Sequence, residues 1–116
     1  MTYAELIELC LSLPGAWQDD PWGDHVVAKV GRPPGKIFAF PGDDEPPQVS
    51  VKLPPDDVVE LRAAYPQAVA DAPHLSKKHW VRVRLDGTVS DEEVADLVCT
   101  SHAVVVAGLP RSQRPA

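Results

Sequence analysis

The chain has 116 residues, 44% hydrophobic and 24% charged, with a formal net charge of −6. That length suits one domain with a two-layer core, the composition excludes a disordered chain, and the charge argues against nucleic-acid binding by the molecule as a whole. No charged start leads into an apolar run, and nothing approaches the about eighteen apolar residues of a membrane span, so the expectation is a cytoplasmic protein.

Thr2 and Glu5 form a capping-box pattern, and Leu6, Leu9, Cys10 and Leu13 then recur on one helical face. A first helix is therefore expected over residues 3–13, ended by Pro14-Gly15. Residues 16–24 read as a loop with aromatic anchors at Trp17 and Trp22. Three strands follow. His25–Val30 alternates Val26, Ala28 and Val30 against Val27 and Lys29; residues 36–40 are β-prone; residues 48–53 set Val49, Val51 and Leu53 against Gln48, Ser50 and Lys52. Pro54-Pro55-Asp56-Asp57 opens a second helix, with Val58, Leu61 and Tyr65 as its apolar stripe. Residues 79–85 alternate Val81, Val83 and Leu85 against Trp80, Arg82 and Arg84. Ser90 and Glu93 suggest a second capping box for a last helix reaching about Gly108. The domain is expected to occupy residues 1–108, and 109–116 to be a disordered polar tail.

The result is an α+β two-layer sandwich. Strands with one apolar and one polar face, joined mostly by turns, imply an antiparallel sheet with helices on one face and solvent on the other. That open face would display Lys29, Lys52, Trp80, Arg82 and Arg84, with Gln48 and Ser50 between them. From His74 to Leu85 there are four Lys/Arg and no carboxylate. Cations beside an indole could neutralise phosphates and stack an unpaired base. The competing reading is a solvated sheet face, on which Lys and Arg suppress edge pairing and Trp80 covers the strands.

Other constellations are incomplete. His25, His74, His79 and His102 lack metal-ligand spacing, and Cys10 and Cys99 stand alone with no CxxC pattern. Asp19-Asp20 and Asp43-Asp44-Glu45 could hold a hard cation but read more simply as solvated loop carboxylates. Ser101 and His102 are neighbours on a helix and point in different directions, and Gly31–Gly35 joins two strands instead of opening a helix over phosphates. No catalytic set, metal site or cofactor motif is complete, so the expectation is a binding module and not an enzyme.

Several segments together resemble the MmcQ/YjbR family of small bacterial proteins. They are Leu13-Pro14-Gly15-Ala16, Lys36-Ile37-Phe38-Ala39, Val51-Lys52-Leu53-Pro54-Pro55, Leu75-Ser76-Lys77-Lys78-His79-Trp80 and the Ser90–Ser101 helix. The Lys-Lys-His-Trp stretch is the most specific of these. The resemblance implies the order α-β-β-β-α-β-β-α, similar to secretion-chaperone-like folds, and DNA binding through a double-wing-like sheet region. Lys36, Lys52, Lys77, Lys78, His79 and Trp80 match the family pattern, while Arg82 and Arg84 come from the strand alternation. The leading expectation is DNA binding by these eight residues. The alternative is a protein-interaction or chaperone-like module that takes a partner segment on the same sheet, with Trp80 as the apolar anchor. A third reading, a pocket joining His79 to a carboxylate such as Asp71, would make it an enzyme or small-ligand binder.

Overall fold

A computed structural model describes residues 1–72 and 79–115. Helix α1 (Tyr3–Leu11) is followed by strands β1 (Trp17–Asp19), β2 (Val27–Val30), β3 (Lys36–Gly42) and β4 (Gln48–Lys52). Then come α2 (Pro55–Ala64), β5 (Val69–Asp71), β6 (Trp80–Arg84) and α3 (Asp91–Ala107). The order is the expected one with a single addition, the three-residue strand β1, in a stretch read from sequence as loop.

The helix starts follow from local chemistry. At α1 the Thr2 hydroxyl accepts from the Glu5 amide at 3.1 Å, and the Glu5 carboxylate accepts from the Thr2 amide at 2.8 Å, closing the capping box. At α2, Pro55 occupies the first turn with Asp56 and Asp57 at the positive end of the helix. At α3 only half of the predicted box forms. Ser90 accepts from the Glu93 amide, but the Glu93 carboxylate instead accepts from the Tyr65 hydroxyl at 2.8 Å. That bond ties the end of α2 to the start of α3.

The six strands make one antiparallel sheet in the order β1-β2-β3-β4-β6-β5. Val49 pairs with Val83 and Val51 with Val81, so their side chains share one face with Leu6 and Cys10 of α1, Leu61 of α2 and Val94, Val98 and Val105 of α3. The pairing of β2 with β3 shifts between Ala28 and Lys29. Ala28 faces Ala39, Lys29 faces Ile37, and Phe38 is the extra residue of a bulge. The bulge turns both Phe38 and Ala39, each 0% exposed, into the helix-side core. Ile37 and Phe40 are left to the other face.

A bulge leaves backbone groups without ladder partners, and burial makes such groups costly. Ser101 of α3 resolves this: its hydroxyl donates to the Phe38 carbonyl at 2.6 Å and accepts from the Lys52 amide at 2.8 Å. Ser101 is thus fully engaged in holding β3 to β4. His102 beside it meets the Pro14 carbonyl at 2.8 Å and packs edge-on with Phe38, so the two neighbouring side chains have different partners.

Residues 109–115, expected from sequence to be a disordered tail, fold back on the domain. Leu109 is buried, Arg111–Gln113 form a 3-10 turn, and Arg32 donates to Ser112 at 2.9 Å. The last turn of α3 has no basic residue of its own. Arg114 returns to donate to the Ala107 and Leu109 carbonyls, each at 3.0 Å, and so caps the negative end of the helix.

Candidate functional site

Strand register places Lys52 opposite Trp80, Ser50 opposite Arg82 and Gln48 opposite Arg84, with Phe40 opposite Ser50 on the other side. These residues share the face away from the helices, as alternation predicts. That face is not a bare polar surface. Phe40 meets Trp80 edge-on with ring centres 5.3 Å apart, and Trp22 stacks on Phe40 at 6.2 Å with an 18° interplanar angle. Trp80 and Val27 are buried without belonging to the helix-side core, which marks a second apolar layer.

The second layer is open at its edge. Trp22, Val26, Ile37 and Phe40 line a groove of about 600 Å³, with Ser50, Gln48, Arg82, His25 and Asp44 also on its walls and Asp44 accepting from the Gln48 amide at 2.6 Å. Trp22 is 61% exposed, one of two large apolar side chains so exposed among the described residues. Ile37 also borders a smaller cleft of about 290 Å³ whose other walls include Lys36, Lys52, Trp80 and the last turn of α3.

Each residue singled out from sequence can now be placed. Trp80 lies on the expected face but is only 6% exposed, so its ring faces are taken up by packing and it does not offer a stacking platform. The reason is the bulge, which sends Phe40 over the sheet and against the indole. Lys29 is also withdrawn, at 8% exposure: its ammonium meets Asp19 at 2.6 Å, the Pro34 carbonyl at 2.8 Å and the Trp17 ring at 5.4 Å. Arg84, Lys36 and His79 are exposed, and Lys52 and Arg82 half-buried. Lys36 and Lys52 converge in the small cleft, and Arg82 enters the large groove. Lys77 and Lys78 lie outside the described residues.

The ion pairs among the described residues are Met1–Asp91, Lys29–Asp19 and Arg62–Asp71, so Lys36, Lys52, Arg82 and Arg84 form none there, although Arg84 lies near enough to Asp86 to help lower that carboxyl. Asp71 is engaged by Arg62 and is not joined to His79, whose backbone takes a left-handed φ of 65° as the chain enters β6. The Asp19 carboxyl is held below its ordinary range by the hydrogen bond from Lys29 and then by the Asp20 amide, while burial pushes the Cys10 thiol up to about 12. Among the described residues no group of three or more His, Cys, Asp or Glu side chains is placed to hold a metal. From sequence Trp22 is expected only as a loop anchor. Its partner Phe40 gave no signal in alternation, because the bulge that aims it is a pairing event.

The fold and site together define a small α+β protein: an antiparallel sheet backed by helices on one face, with an aromatic groove on the other. Within that class the chain belongs to the YjbR family, whose model matches residues 11–104. It is 33% identical over 115 residues to the uncharacterized protein YjbR of Escherichia coli K12, covering 98% of this chain and 95% of that one. It is 30% identical over 105 residues to the uncharacterized protein YbdF of Escherichia coli O157:H7, covering 89% of this chain and 83% of that one. Among solved structures, the Deinococcus radiodurans protein DR2400, with a DUF419 domain, superposes with a TM-score of 0.87 at 36% identity over 97% of this chain and 84% of that one. A Pseudomonas syringae protein shares the fold with a TM-score of 0.72 at 22% identity, covering 90% of this chain and 99% of that one.

Proposed function

We propose that the chain is a binding module that accepts a segment of a protein partner in the aromatic groove of its sheet. The observation that carries this reading is Trp22, exposed over Phe40 at the mouth of a groove about 600 Å³ in volume. An aromatic anchor beside a half-buried arginine is the composition of an interface hot spot, in which apolar contact supplies affinity and the polar rim supplies orientation. Both sheet edges are strands of three residues, which gives little room for strand addition and turns attention to the face. His25 and Asp44 both line the groove, and among the described residues no hydrogen bond joins their side chains. Cys10 and Cys99 are both free, which fits a reducing, cytoplasmic setting.

A second reading, DNA binding, draws on Lys36, Lys52, Arg82 and Arg84, which form no ion pair among the described residues. It is the weaker of the two. Lys36 and Lys52 flank the carbonyl end of α3, whose partial negative charge attracts cations and disfavours a phosphate there. Asp44 lines the large groove itself.

One experiment separates them. A partner retained by the immobilised protein should stay bound at about 0.5 M salt and be lost by Trp22→Ala, since apolar contacts are not screened. Binding to a dT20 oligomer or a short duplex that falls by about 0.9 log unit per log unit of salt for each duplex phosphate neutralised, and that Arg82→Glu with Arg84→Glu abolishes, would move the assignment to DNA.

A further inference from the structure

The groove holds an arginine with no ion pair among the described residues, and that charge specifies what fills it; the inference rests on the partner-binding reading above. Arg82 is that residue, and Arg84 follows it on the same face, exposed. Asp44, next to exposed Asp43 and Glu45, lines the same groove beside Gln48. Asp44 already accepts from the Gln48 amide at 2.6 Å, so its remaining capacity is for a donor and not for an acid.

Three occupants can be compared. A polyanion would gain at Arg82 and be repelled by Asp44 in the same groove. A wholly apolar segment would cover Arg82 without pairing it, and an uncompensated desolvated charge is costly. A segment with an apolar centre and a single acid covers the aromatic floor and pairs Arg82. The spacing is set by the sheet: Phe40, Ser50 and Arg82 stand on three successive strands, so Phe40 and Arg82 are about 10 Å apart at the backbone. Alternate side chains of an extended segment project on one side about 7 Å apart, and an arginine side chain spans the difference.

We propose that the occupant is an extended protein segment that seats a large apolar side chain on Trp22 and Phe40 and pairs an Asp or Glu two residues away with Arg82. Arginine's planar fork suits a carboxylate held in both its oxygens.

The test is an octapeptide library with Phe fixed at a central position and the others randomised, selected on the immobilised full-length protein. Asp and Glu should be enriched about tenfold at a position two residues from Phe, the scale of one charge-assisted pair. Arg82→Gln should remove that preference while keeping Phe-dependent retention, and Trp22→Ala should abolish retention. Phe-dependent retention without an acid preference would overturn this inference and leave the groove reading standing. Retention indifferent to Trp22 would overturn both. Arg82 is half-exposed and Trp22 exposed, so both variants keep the core intact.

Discussion

The two faces of the sheet come from the same strands and end in opposite conditions. Toward the helices, Phe38, Ala39, Val49, Val51, Val81 and Val83 are closed off from water by three helices. Away from them, Ile37, Phe40, Trp80 and Val27 form a thinner apolar layer roofed at one edge only by Trp22. The helix side is closed off from water, so its burial contributes to stability. The other side keeps an unmatched aromatic surface at the cost of some stability, and unmatched surface is where recognition is possible. A single residue, Phe38, is responsible for the division. Inserted as a bulge, it sends its own ring to the closed face and Phe40 to the open one.

Paired truncations test that division most strongly. Phe38→Ala should cost about 3–5 kcal/mol, the range for an aromatic removed from a closed core, measured as a fall in the urea midpoint. Phe40→Ala, from the open layer, should cost roughly 1–2 kcal/mol, because only part of its surface is removed from water on folding. Equal losses at the two positions would mean that the second layer is as closed as the first.

Ser101→Ala sharpens the same comparison at the bulge. It leaves the Phe38 carbonyl and the Lys52 amide buried without a partner, which should lower stability by about 1–3 kcal/mol. Ligand binding at the groove should change little if the bulge persists, and amide exchange at Lys52 should quicken. An unchanged urea midpoint would show that the strands close the gap by themselves.

The smallest effect concerns pH at the sheet's outer edge. Asp19 is held below its ordinary value of 3.8 by Lys29, so its contribution is fully present above that value and is lost as pH falls through the lowered one. Wild-type protein should lose stability along that acid limb, with Glu5 at the α1 cap and Asp86 contributing to the same slope. Asp19→Asn should be less stable at neutral pH and show a shallower acid limb. The check is the urea midpoint followed from about pH 5 to about pH 2. An acid limb identical to wild type would remove Asp19 from this account.

Much of the architecture was legible because the relevant signals are local. The Thr2 and Ser90 caps, the Pro55 helix start and the strict alternation at 48–53 and 80–84 each depend on residues a few positions apart. β1 was missed because three residues between turns carry no period of their own, and the packing of 109–115 was missed because a polar tail can be held by distant partners such as Arg32. The candidate site was half legible. Arg82 and Lys52 were on the predicted face, but Trp80 was expected in the open and is buried, while Trp22 was expected as an anchor and is exposed.

From the residues alone came the class of fold, the face on which each side chain of β4 and β6 would fall, and the family. Period and capping are properties of neighbours along the chain. Which aromatic is covered, which lysine is neutralised and where a groove remains were decided only when strands far apart in sequence paired. One extra residue in β3 reverses the side to which its neighbours point, and no pattern within β3 itself reveals a partner strand that is one residue short.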